Sequence, residues 1–292
     1  MTALADQTHP AAEALETPSG KGRGDENFPV GSFLIRKDLR PHVHAFYRFA
    51  RNADDIADSP ILSADDKVRR LDRMGEILDG ASGGAAGDDS PSATAMRRSL
   101  AQTGTTAQHC HDVLRAFRLD ATKLRYRDWD DLMEYCRYSA SPVGRQLLDL
   151  HGESRDTWPA SDALCSALQV LNHLQDCADD YRNLDRVYLP LDVMGEADIA
   201  VEALTGPASS PGLRRVLDQL LDNTDRLIDT ATRLPGGVAA RGLRWESATI
   251  VDLARRLSRR LRRGDPLEAR VALSKGDFAA ALVTGIVRGR RR

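Results

Sequence analysis

The 292-residue chain has no run of about 18 apolar residues, the length a membrane-spanning helix needs, so none of it is expected to cross a bilayer. Its four cysteines, Cys110, Cys136, Cys165 and Cys177, are widely spaced and form no CxxC pair. That argues against both a zinc site and a disulfide framework. Neither charge is in clear excess: 41 basic and 43 acidic residues leave a net charge of −2, and so no global field for nucleic acid. The opening stretch, MTALADQTHPAAEALETPSGKGRGDEN, places acidic residues early and lacks an apolar segment. It does not read as a secretory signal, and a cytoplasmic location is expected. No stretch alternates apolar and polar residues as a half-buried strand would, and there is no βαβ rhythm.

What is present is helical periodicity. Residues 1–25 carry no periodic apolar pattern and are expected to be a flexible tail, residues 26–287 to form one all-α domain, and residues 288–292 a basic tail. From Leu39 to Ala57 apolar residues recur every three or four positions, and Pro41 falls in the first turn, where its missing amide is harmless. Further helices are expected over 65–78, 91–103, 107–118, 161–183, 212–233, 238–263 and 275–287. A mobile loop, ASGGAAGDDSPS, follows the second, and Pro235-Gly236-Gly237 acts as a breaker. Between Asp128 and Gly152 the helical pattern contains SASPVG, and Pro142 predicts a kink there.

Two of these helices carry polar stripes. Asn172, Asp176 and Asp180 recur every four residues, and so do Asp54 and Asp58, with Tyr47 and Arg51 upstream on the same helix and Asp55 off that face. Like charges one turn apart destabilise a helix, so each stripe is either solvated or faces a cation. Two such stripes about 120 residues apart suggest convergence across a bundle. Four converging carboxylates would raise one another's pKa unless a hard divalent cation such as Mg²⁺ relieved them. Mg²⁺ so held neutralises a diphosphate as a leaving group, with Arg51 and Arg186 as candidate phosphate-binding cations.

YRFARNADDIAD (47–58), YCRYSASPVGR (135–145) and NHLQDCADDYRNLDRVYLP (172–190) together resemble the squalene/phytoene synthase family. The match in order and spacing extends from Asn27 to about Val287. The resemblance implies an isoprenoid-synthase helical bundle with a central active-site cavity. Within the family, the ENFPVGSFLIRKDLR stretch and the SASPVGR form are similar to the bacterial hydroxysqualene synthases of hopanoid biosynthesis. Those ionise presqualene diphosphate and quench the rearranged cation with water, without NADPH. The absence of a GxGxxG fingerprint agrees with no nicotinamide being needed.

Carried over residue by residue, the resemblance makes Asp54, Asp58, Asp176 and Asp180 ligands of about two or three Mg²⁺ ions. It has Asn172 complete the second stripe, and Arg51, Arg186 and Tyr188 bind diphosphate. Tyr47 and Tyr135 line the active site or else sit in the core with a satisfied hydroxyl, while Phe28, Val143 and Gly144 line the pocket. Gln175 stands where many relatives have arginine and is the expected holder of the quenching water. Alternatives are a squalene or phytoene synthase that condenses two prenyl diphosphates, and a non-catalytic prenyl-diphosphate-binding or assembly protein. Handover of substrate from a presqualene diphosphate synthase is expected.

The arginines of 255–263 lack interleaved aromatics, which argues against nucleic acid. The apolar C-terminal helix and the RGRRR tail suggest peripheral contact with the inner face of the cell membrane.

Overall fold

The computed structural model describes residues 15–16, 34–81 and 89–288. Phe28, the centre of the Gly/Ser/Asp-rich loop and residues 289–292 of the basic tail lie outside the described residues. Among the described residues there is no β-sheet, only a bridge between Arg125 and Val187. Twelve α-helices are described: α1 (Arg40–Ala57), α2 (Ala64–Asp79), α3 (Pro91–Thr103), α4 (Gln108–Thr122), α5 (Trp129–Ser139), α6 (Ser141–Leu150), α7 (Trp158–Leu184), α8 (Leu191–Glu196), α9 (Pro211–Ala231), α10 (Leu234–Gly237), α11 (Arg241–Arg263) and α12 (Lys275–Arg288).

Local chemistry sets the ends. Ser63, Ser90, Asp128 and Ser210 accept a backbone amide from the first turns of α2, α3, α5 and α9. Gly80, at φ 109°, closes α2 in the left-handed region that favours glycine. The SASPVG segment is a break, not the kink expected of one continuous helix. Helix α5 ends at Ser139, Ala140 is the junction, and Pro142 lies in the first turn of α6, where its missing amide costs nothing. The Pro-Gly-Gly breaker itself closes into one turn, α10.

The helices enclose two apolar cores. Phe46, Phe49, Ile56, Leu71, Met74, Met96 and Leu114 fill the first, between α1, α2, α3 and α4. The second runs through α5, α6, α7, α9 and α11, with Leu132, Leu171, Leu174, Leu217, Leu220 and Leu257 at its centre. Each fully buried side chain of this size contributes roughly 1.5–3 kcal/mol. Helix α4 belongs to both, giving Val113 and Leu114 to the first core and Ala116 to the second.

Within the stretch expected to be a loose tail, the two described residues are docked. Leu15 is buried in the first core, and Glu16 accepts the Ser92 amide at 2.9 Å and the Asn52 side chain at 3.0 Å. A carboxylate at the N-terminus of α3 satisfies amides that would otherwise lack partners.

Candidate active site

The last turn of α1 and the second half of α7 meet at the seam between the two cores. There Arg51, Asp55 and Asp58 share a cleft of about 610 Å³ with Asp176, Asp179, Asp180, Asn183 and Arg270. Asp55 lies off the stripe defined by Asp54 and Asp58, yet it is buried and lines the cleft, its carboxylate held by Arg51 Nη2 at 2.7 Å. The same guanidinium reaches Asp54 at 2.9 Å through Nη1.

Burial, followed by the charge of Asp58, pushes the Asp54 carboxyl well above the usual carboxylate range, with Arg51 opposing. Burial, then Asp180, also raises the Asp176 carboxyl, and Arg270 pulls it back. The cleft thus holds more acid than its own cations offset, which is the electrostatic condition for a bound cation.

Arg186 ties the two halves together. Its position follows from the end of α7: Asp185 adopts φ 52° and its amide returns to Asp180 and Tyr181. Residues 185–191 then run beside 124–126, with the Val187 amide on the Leu124 carbonyl at 2.9 Å. In this extended run Arg186 and Tyr188 point the same way. The Arg186 guanidinium donates to Asp58 Oδ1 at 2.5 Å, to the Ala57 carbonyl at 2.9 Å and to the Asp120 carbonyl at 3.0 Å. Burial works against its charge, but Tyr188, Asp120 and Asp58 outweigh that and raise its pKa.

Below the cleft lies a polar network that the sequence did not announce. Tyr135 donates to Asp120 Oδ2 at 2.8 Å and Tyr188 to Oδ1 at 2.9 Å. Burial, partly offset by Arg186, pushes Asp120 up to about 6. Burial also raises both tyrosines, which therefore remain hydroxyl donors. The His173 ring stacks on Tyr188 at 3.5 Å between centroids, and its Nδ1 lies 3.9 Å from Asp180. The only hint of Asp120 in the sequence is a carboxylate four residues after Ala116, on the buried side of α4. Arg270 falls in an irregular segment that carries no pattern at all.

The other expected residues divide. Tyr47 stands one turn before Arg51 on α1, and Asn172 one turn before Asp176 on α7, both half-buried. Val143 is 48% exposed. Gly144 is a close-packing position of α6 against α7, where a Cβ would fall 2.3 Å from Ser161 Oγ and 2.7 Å from Cys165 Sγ. Gln175 is buried, does not line the described cleft, and gives its amide nitrogen to the Val271 carbonyl at 2.5 Å.

His109, Cys110 and His111, adjacent in sequence, diverge on α4: His109 pairs with Asp149 and His111 with Asp79. Arg255, Arg256, Arg260 and Arg262 of α11 all pair with aspartates, among them Asp229, Asp252, Asp277 and Asp225. The run that looked basic is therefore largely neutralised. Among the described residues no helix is long and apolar enough to cross a membrane.

Comparison with known proteins agrees with this geometry. A hydroxysqualene synthase of Rhodopseudomonas palustris is 47% identical over 268 residues, covering 92% of this chain and 90% of the relative. One from Zymomonas mobilis is 44% identical over 261 residues, covering 89% and 86%. The crystal structure of a squalene synthase from Alicyclobacillus acidocaldarius superposes with a TM-score of 0.69 at 28% identity, covering 80% of this chain and 87% of that one. A dehydrosqualene synthase shares the fold, with a TM-score of 0.78 at 21% identity over 92% and 93% of the two chains. The family model for squalene/phytoene synthase matches residues 21–277, and the chain, an all-α enzyme that processes prenyl diphosphates, belongs to that family.

Proposed function

We propose that the chain converts presqualene diphosphate and water into hydroxysqualene and inorganic diphosphate. The observation that carries this reading is the meeting of both acidic motifs with Arg51 and Arg270 around one cleft, backed by the buried Arg186 that pairs with the cleft residue Asp58. It is supported by the 43–47% identity to three relatives named hydroxysqualene synthase.

The donor set fits Mg²⁺. Carboxylates of both helices line the cleft, and among the described residues no three acid, histidine or cysteine side chains are grouped so as to hold an ion by themselves, so water and phosphate oxygens must supply the other ligands. Asp54, Asp58, Asp176 and Asp180 would then hold the ions together with water and phosphate oxygens, as Mg²⁺ prefers. When bound, Mg²⁺ neutralises the diphosphate and makes it a better leaving group.

The protein's own groups do the rest. Arg51 and Arg186 offer charge-assisted hydrogen bonds to phosphate oxygens. Asp55 and Asp58, which hold those guanidiniums, keep them aimed before substrate arrives, so little reorganisation accompanies charge development. As the C–O bond breaks, its electron pair leaves with the diphosphate. The carbon skeleton rearranges as a cation, a water oxygen bonds to it, and one proton is released. No hydride is consumed, so NADPH is not required. Tyr135 and Tyr188 anchor on Asp120 through their hydroxyls, and the Tyr188 ring stacks on His173, so this buried network supports the end of the second acidic helix.

Val283 and Val287 of α12 are exposed, and the sequence that follows them reads RGRRR. With a substrate this apolar, they fit peripheral contact with an anionic membrane face and acceptance of presqualene diphosphate from the synthase that makes it.

The second reading, a condensing enzyme that starts from two prenyl diphosphates, is favoured by the likeness to the structures of a squalene synthase and a dehydrosqualene synthase. Incubation with farnesyl diphosphate and Mg²⁺ alone separates the two. No presqualene diphosphate or squalene is expected, and appearance of either would favour the condensing reading.

A further inference from the structure

Residues 264–274 cross from α11 to α12 as irregular backbone. The start of this strap is fastened at Asp265, which accepts the Ser209 amide at 2.6 Å and its hydroxyl at 2.7 Å. Its end is fastened at Ser274, whose amide and hydroxyl both donate to Asp277. Midway, the strap passes α7, and there the Gln175 amide nitrogen donates to the Val271 carbonyl. Gln175 is only 5% exposed, so this bond is shielded from competing water.

The two bonded residues are each one position from a charged group of the cleft. Asp176 follows Gln175 on α7, and Arg270 precedes Val271 on the strap; both line the cleft. A hydrogen bond between 175 and 271 therefore fixes the register of the strap against the acidic stripe. It determines how far Arg270 stands from Asp176. A side chain that served only to satisfy a buried carbonyl could sit anywhere along the strap.

We infer that Gln175 is a positioning residue: through the Val271 carbonyl it holds the strap so that the Arg270 guanidinium faces the diphosphate end of the cleft. The inference rests on the diphosphate reading of the cleft.

Binding of inorganic diphosphate with Mg²⁺, measured calorimetrically, and hydrogen exchange of residues 268–273 test it together. Gln175→Met keeps length and burial but removes the donor. It is expected to speed exchange in the strap and to weaken diphosphate binding about tenfold, the scale of one lost charge-assisted contact. Arg270→Ala is expected to weaken binding by a similar factor, and the double variant to be no weaker than Arg270→Ala alone, because the two act through one contact. Gln175→Leu, which also removes the donor and adds no charge, must behave like Gln175→Met and stands in if the latter does not fold. Unchanged strap exchange in these variants, or a double variant weaker by the product of the single effects, overturns the inference. An Asp176→Ala variant that binds diphosphate as tightly as the unaltered protein overturns the diphosphate reading itself, whatever the strap does.

Discussion

Arg186 donates to Asp58 across 128 positions of sequence, at 2.5 Å, and so ties the end of the first acidic helix to the chain leaving the second. The contact sets a buried cation behind a carboxylate of the cleft while spanning the seam between the two cores. Both roles depend on the flat, multidentate guanidinium, because the same group also satisfies the Ala57 and Asp120 carbonyls.

Arg186→Lys should therefore fail on two counts. A lysine's three N–H bonds all leave one nitrogen, whereas Arg186 uses three separate nitrogens, so the Ala57 and Asp120 carbonyls lose their donors. We expect a loss of about 2–4 kcal/mol in urea unfolding, and turnover reduced by at least about a hundredfold. A lysine variant with normal stability and turnover would show that the contact is incidental.

The Asp120 carboxyl, raised to about 6 by burial, predicts a pH dependence of stability. Between its ordinary value near 3.9 and about 6, the folded protein binds the proton more tightly than the unfolded chain does. Stability from this group therefore falls as pH rises through that window and is flat above it. The full difference is on the order of 3 kcal/mol. Denaturant unfolding at several pH values should show this slope in the unaltered protein, and Asp120→Asn should remove it.

The sequence made the main helices legible because each buries one side, and α1, α2, α3 and α7 begin and end within a few residues of their expected limits. Helices α8 and α10 escaped because one or two turns are too short for an apolar period to declare itself. The facing acidic motifs could be read because i,i+4 spacing projects to one side of a helix. Asp120, Asp55 and Arg270 could not. A lone carboxylate on a helix reads as solvated, Asp55 lies off the stripe, and Arg270 reaches the cleft only through the path of an irregular strap. Gly144 is expected at the pocket from its motif alone; its tight approach to Ser161 and Cys165 could not be read from the sequence, because a small residue serves packing as well as space.

That packing predicts the effect of Gly144→Ala. The new methyl would overlap Ser161 Oγ and Cys165 Sγ, so α6 and α7 must separate or those side chains must rotate. We expect a destabilisation of about 1–3 kcal/mol, with part restored when Ser161→Gly is added. Thermal unfolding of the single and double variants checks this, and an unchanged midpoint in Gly144→Ala contradicts it.

Glu16 predicts a role for residues that have no periodic pattern. Its carboxylate caps α3 through the Ser92 amide and also takes the Asn52 side chain. Glu16→Ala should cost about 0.5–2 kcal/mol, the range for a lost helix cap. Hydrogen exchange should rise in the first turn of α3 and not in α9.

The most direct measurement is the product formed from presqualene diphosphate with Mg²⁺, without NADPH, in water enriched in heavy oxygen. Hydroxysqualene whose hydroxyl carries the heavy isotope is expected, released with inorganic diphosphate, and no such product from Asp58→Ala or Asp176→Ala. Squalene that forms only when NADPH is added, or turnover that survives loss of either aspartate, would contradict it.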